Sequence, residues 1–175
     1  MTTNTTVSFP CTWSKTTKII TIGMLLLFTL SLLFLWTINF PEQMAFMKYL
    51  LSILIVGLPL AFLGFMMPLR LSVNKESLSV KLLFGSLRIA TNEIVEIKRV
   101  SKSYLNNSIR VFGSGGFCGY LGKFKHTTSG NYTIYATDPN EMMLIRTVKN
   151  NKDNIYVFSC ANADEFIKCV EDCRK

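Results

Sequence analysis

Twenty consecutive residues without a charge, Ile19 to Ile38, constrain this chain more than any other feature in it. They are mostly Leu, Ile, Phe and Met, and as a helix rising 1.5 Å per residue they reach about 30 Å, the hydrocarbon thickness of a bilayer. A second apolar stretch, Tyr49 to Pro68, follows a short connector, Asn39 to Lys48, where Pro41 breaks the helix and Glu42 and Lys48 are the only charges. The two stretches predict a transmembrane helical hairpin over residues 19–68, with helices at about 19–40 and 46–67. Trp36, Phe40 and Tyr49 stand where an interfacial aromatic belt is expected. Pro59 predicts a kink in the second helix and Pro68 its end, and Gly57 and Gly64 offer one face for close helix packing. The first stretch is longer than a signal-peptide core and no small-x-small cleavage site precedes Phe40, so cleavage is not expected.

Flanking cations set the expected orientation. Lys15 and Lys18 precede the first span and Arg70, Lys75 and Lys81 follow the second, which predicts a multi-pass protein of the cell membrane with both termini cytoplasmic. Residues 1–18 then read as a cytoplasmic N-terminal tail. No Asp, Glu, His or Arg falls within either apolar stretch, which disfavours a proton relay or ion path, and the hairpin reads as an anchor. With 49% hydrophobic residues, disorder is excluded. The net charge of +8 admits anionic lipid or nucleic acid as partner. Five cysteines without framework spacing (Cys11, Cys118, Cys160, Cys169, Cys173) read as free thiols of a reducing compartment.

From Leu69 the hydrophobic period changes to two. Leu71-Ser72-Val73 and Leu78 to Leu82 alternate across an Asn74-Lys75-Glu76-Ser77 turn, and Leu87 to Ala90 and Ile94 to Val100 follow. Further strands are predicted at Ile109 to Phe112, Tyr120 to Lys125, Tyr132 to Thr137, Met142 to Thr147 and Ile155 to Ser159, between Gly, Asn, Asp and Pro clusters. The last segment is helical: Asn162 caps it, Glu165 completes a capping box, and Phe166, Ile167 and Val170 form its apolar stripe. Residues 69–175 are therefore expected to form an antiparallel barrel or sandwich closed by one helix.

The order of these elements, with Arg110-Val-Phe-Gly-Ser-Gly-Gly-Phe-Cys-Gly-Tyr-Leu-Gly-Lys-Phe, then Tyr132-Thr-Ile-Tyr-Ala-Thr-Asp and the closing Asp164-Glu165-Phe166, resembles the membrane-anchored bacterial pleckstrin-homology-like (PH-like) domain family. The resemblance implies an all-β PH-like barrel of about seven antiparallel strands with a C-terminal α-helix, carried on a two-helix membrane hairpin. Members mostly lack an assigned biochemical role, so the resemblance informs the fold more than the function.

The glycine-rich stretch, with Gly113, Gly115, Gly116, Gly119 and Gly122, invites a phosphate-loop reading that its spacing rejects. Phe117 stands where a Walker loop needs its first Gly and Phe124 where it needs Ser or Thr, while Cys118 replaces the third Gly of a dinucleotide fingerprint. The glycines instead permit positive φ and sharp bends. Phe117 and Tyr120, beside Lys123, Lys125 and His126, form the candidate contact for a protein partner or for lipid. A single histidine, no nucleophile elbow and no poised carboxylate pair argue against an enzyme; no cofactor is expected. Cys169 and Cys173 lack a second ligand pair, so no metal site is expected. The 16 Lys and Arg against 10 Asp and Glu after residue 68 are scattered, and no nucleic-acid partner is expected. The sequence thus predicts a non-enzymatic membrane-anchored binding or scaffolding module, for a protein partner or for self-assembly into a homo-oligomer. The alternatives are a component of an oligomeric channel or transporter, and recognition of anionic lipid headgroups by the 113–126 loop.

Overall fold

The computed structural model describes residues 6–39, 41 and 44–174, leaving aside the side chains of Leu63 and Gly64. Phe40 and Glu42, assigned above to the connector, and the surroundings of Gly64 therefore lie outside the described residues. Helices α1 (Lys15–Thr37) and α2 (Ala45–Met66) form the apolar pair. α1 starts four residues earlier than the uncharged run because Ser14 caps it, its hydroxyl oxygen accepting from the Thr17 amide at 3.1 Å. At the far end Lys48 Nζ donates to the carbonyls of Trp36 (3.1 Å) and Ile38 (3.3 Å), so the one cation there satisfies the orphan acceptors that end α1. Trp36 and Tyr49 meet edge to face at 6.0 Å beside it. Each helix is long and apolar enough to cross a membrane, and only 11% of the apolar window of α1 and none of that of α2 is buried. Gly57 has only Ile53 of its own helix near the position of a Cβ, so it marks no close approach to α1.

The remaining chain folds into two sheets. Strands β1 (Val7–Pro10), β2 (Pro68–Val73), β3 (Ser77–Leu82) and β4 (Ser86–Ala90) form the first, in that order. β5 (Ile94–Val100), β6 (Ser108–Gly116), β7 (Gly119–His126), β8 (Gly130–Ala136), β9 (Met142–Lys149) and β10 (Lys152–Ser159) form the second, ordered β5-β9-β10-β8-β7-β6. A short helix α3 (Ser103–Asn106) joins β5 to β6, and α4 (Ala163–Arg174) ends the chain. Every strand expected after the helices is present, most of them burying one side by alternation, with β9 buried on both faces over Met142 to Ile145. The β2–β3 turn is held as its sequence predicts, Asn74 Oδ1 accepting from the amides of Glu76 (3.0 Å) and Ser77 (2.6 Å). Asn162 caps α4 through the Glu165 amide at 3.2 Å, with its amide group on the Glu165 carboxylate at 3.0 Å.

Two expectations need correction. Residues 7–10 are not part of a tail: β1 pairs antiparallel with β2 in the register Val7↔Val73 to Pro10↔Arg70, a tenth described strand beside the nine read from the sequence, where the resemblance implied about seven. Val7 and Phe9 alternate with Ser8, and Phe9 is drawn into the core, edge to face with Phe166 at 5.3 Å. Nor is every pairing antiparallel, since β10 runs parallel to β8 with Val157↔Ile134. The β8–β9 connection passes over the place that β10 then occupies.

One hydrophobic core lies between the sheets and is closed by α4, with Leu71, Val73, Leu78, Val80, Ile145, Phe158 and Phe166 buried together. The opposite face of the six-stranded sheet buries a second core of Phe124, Tyr132, Ile134, Leu144 and Val157, over which α3 lays Tyr104 and Leu105. A third cluster joins domain to helices: Cys118 and Leu121 pack with Trp13, Phe62, Met66 and Phe117. Because β1 precedes α1 and β2 follows α2, the pairing of those strands puts both open ends of the helix pair on one side, with the β domain.

Candidate functional site

The glycine-rich segment is a β-hairpin whose strands close on each other through Gly113↔Gly122 and Gly116↔Gly119. Gly122 takes φ +122°, and a Cβ there would stand 2.2 Å from the Phe112 carbonyl oxygen. This close approach is what the glycines supply, rather than a cradle for phosphate. At the tip Phe117 and Cys118 form the turn, Cys118 with φ +55°, and Ser114 Oγ donates to the Phe117 carbonyl at 2.7 Å.

The tip is docked on the helices. The Cys118 amide donates to Thr21 Oγ1 at 2.9 Å, and that hydroxyl donates in turn to the Thr17 carbonyl at 2.7 Å. Phe117 enters the crevice between α1 and α2, edge to face with Phe28 at 5.7 Å and beside Leu25, Val56 and Pro59. The start of α1 is tied to the same sheet, the Ser14 amide donating to the Thr137 carbonyl at 3.3 Å and Thr137 Oγ1 to the Thr12 carbonyl at 2.7 Å. These bonds and the Leu121 cluster fix the domain against the helix pair.

The five candidate residues do not share one patch. Phe117 is a wedge between the helices, and Tyr120 packs against the second core. His126 lies at the other end of β7, seven strand steps and about 23 Å from Gly119. There its ring stacks on Tyr104 at 4.1 Å, and its Nδ1 accepts from the Thr128 and Ser129 amides, each at 3.2 Å. Lys123 and Lys125 are exposed on the strand between.

Lys123 instead belongs to a groove of about 390 Å³ on the six-stranded sheet. Val111 of the edge strand β6, Asn131 and Thr133 of β8, and Lys152, Asn154 and Tyr156 of β10 complete it. Asp153 at its rim is held by Arg146, whose Nε and Nη2 both bond the carboxylate, and this pairing keeps the carboxyl below its ordinary range. Beside that neutralised carboxylate the groove presents Lys123 and Lys152 with amides and hydroxyls, over the apolar Phe124, Tyr132 and Ile155. Sequence reasoning missed it because its polar residues come from strands that neighbour each other only through the parallel β8–β10 pairing. Their signal was the polar half of each alternation, Asn131 and Thr133, Asn154 and Tyr156.

Among the described residues no three His, Cys, Asp or Glu side chains converge to hold a metal ion. Cys169 and Cys173 lie on α4 and pack against the first core. Burial pushes the Cys11 thiol up to about 12 and the Cys160 thiol up to about 11, so both are poor nucleophiles in the folded chain.

Two bent sheets closed by a C-terminal helix and joined to an apolar helix pair define a PH-like β domain on a candidate membrane anchor. The sequence pattern of the bacterial PH domain matches residues 69–173, and the chain belongs to that family. No curated protein and no solved structure matches it. The match begins at Leu69, so β1 and both helices precede the matched region.

Proposed function

We propose that this chain is a non-enzymatic, membrane-anchored binding module. α1 and α2 cross the bilayer, both termini lie on the cytoplasmic side, and the PH-like domain is held there at a fixed angle. Its groove receives an extended, acidic segment of a protein partner. The observation that carries this reading is the pair Lys123 and Lys152 in one groove on the face of the six-stranded sheet, across β7, β8 and β10. The cations there select acidic side chains, and the amides and hydroxyls that line the groove suit the backbone of an extended segment. Asp153 adds no opposing charge, because Arg146 neutralises it.

The test is a photocrosslinking residue at Thr133 in native membranes, followed by mass spectrometry. A discrete adduct to an acidic segment, abolished when Lys123→Glu and Lys152→Glu are combined and weakened by salt, supports the module. Adducts only between copies of this chain replace it with self-assembly. Adducts only to anionic lipid replace it with headgroup recognition, and no adduct at all overturns the groove as a binding site.

A further inference from the structure

We infer that the β6–β7 hairpin is itself embedded in the bilayer, as a third membrane segment beside α1 and α2; this rests on reading those helices as membrane spans. The hairpin has no charged residue from Val111 to Gly122, and Arg110 and Lys123 bracket that stretch at one height on adjacent strands. A charge-free segment ending in cations at one level is the pattern of a segment that stops at headgroups.

The contacts of the turn with α1 set its depth. Phe117 meets Phe28, which lies ten residues beyond Lys18, or about 15 Å along the helix. With Lys18 at the headgroup level, the Phe117 ring reaches the level of Phe28, while the backbone of the turn, bonded at Thr21 three residues beyond Lys18, enters by about 4.5 Å. Phe112 meets Phe62 of α2 at 5.9 Å, one turn inside that helix's end, and is still 63% exposed, while Phe117 lies against Phe28. Hydrocarbon is the medium that already surrounds the side chains they lie against.

At the turn, where lipid demands that polar groups be satisfied within the protein, the chain supplies the partners from its own side chains and from α1. The ladder pairs Gly113↔Gly122 through Gly116↔Gly119, Ser114 bonds the Phe117 carbonyl, and the Cys118 amide is taken by Thr21 of the span itself. The β3–β4 turn repeats the design at shallower depth. Its uncharged Leu82 to Leu87 lies between Lys81 and Arg88, and the open side chain of Phe84 meets Phe65 in the last turn of α2 at 5.9 Å.

The experiment uses the full chain in nanodiscs, with its cysteines replaced and a spin label at one of four positions: Phe112→Cys, Ile53→Cys on α2, Lys123→Cys or Val95→Cys on β5. Collision with oxygen reports lipid, and collision with a nickel chelate reports water. The expected result is a Phe112 label that matches Ile53, several-fold more accessible to oxygen than to nickel, with Val95 reversed and Lys123 between. Nickel access at Phe112 with Ile53 protected overturns the inference and leaves the spans intact; nickel access at both overturns the two together. Should the cysteine-free chain fail to fold, a benzophenone residue at position 112 of the native chain serves. Crosslinks to acyl chains there, and none from position 95, support the inference, and their absence overturns it.

Discussion

The backbone amide of Cys118 donates to the side-chain oxygen of Thr21 at 2.9 Å across ninety-seven residues of sequence. It joins the turn of a strand hairpin to the second turn of an apolar helix, and both groups are buried. Replacing Thr21 by Val keeps the shape and removes the acceptor, stranding a buried amide at a cost of about 1–3 kcal/mol. Thermal unfolding in detergent, with faster hydrogen exchange at Cys118, is the measurement. Thr21→Ser restores the bond and is expected to restore protection.

Phe9 makes the N-terminal strand part of the core rather than an appendage. Its ring meets Phe166 of α4 and is almost wholly buried. Phe9→Ala is expected to cost about 3–5 kcal/mol, read as a lowered denaturation midpoint. A true tail would tolerate the change without effect.

Gly122 and Gly115 separate two reasons for glycine in one hairpin. At Gly122 the positive φ and the nearby Phe112 carbonyl combine, so Gly122→Ala is expected to cost about 3 kcal/mol and to expose β6 amides to exchange. At Gly115 a Cβ meets only the end of the Arg110 side chain at 3.2 Å. Gly115→Ala is expected to leave exchange unchanged, since a long side chain moves aside.

Tyr132 is 3% exposed and its hydroxyl has no hydrogen-bond partner among the described residues, as does that of Tyr104 nearby. Ser108, the neighbouring hydroxyl, donates to the Tyr104 carbonyl at 2.8 Å and its contact with the Tyr132 phenol only partly offsets the burial. Burial pushes the Tyr132 phenol up, consistent with a group shut away from water. Tyr132→Phe removes an unsatisfied polar atom without opening a cavity, and is expected to raise stability by about 1 kcal/mol in chemical denaturation.

Cys11 gives a dependence on pH. Its thiol is raised from 9.0 to about 12 by burial first and by Cys160 second, so in the alkaline range the unfolded chain releases a proton that the folded chain retains. Stability therefore falls as pH rises between about 9 and 12, by up to about 1.4 kcal/mol per pH unit for this group. In Cys11→Ala that contribution to the slope disappears. Alkylation at pH 8 is expected to spare Cys11 and Cys160 until the protein unfolds.

The helices and nine strands were legible because each leaves a local signature, absence of charge over a membrane's width or alternation over a few residues. β1 left the same signature in Val7-Ser8-Phe9, but over too few residues to stand out, and its partner lies beyond both helices. The candidate residues were legible as types and not as a place. Phe117 is positioned by Phe28 and Lys123 by Asn131 and Thr133, and no local pattern in the hairpin carries those distances. Thr21 read as one more residue of an apolar run, because its role depends on a turn formed much later in the chain.

The pairing of Val7 with Val73 also orders assembly. β1 leaves the ribosome before either helix and β2 only after both, so the first sheet has no second strand to nucleate on until the hairpin exists. Closing that long loop is entropically costly while its residues are free, and two helices packed as a pair bring the ends together in advance. If α1 and α2 span the membrane as proposed, their insertion is the step that lets β1 complete the first sheet.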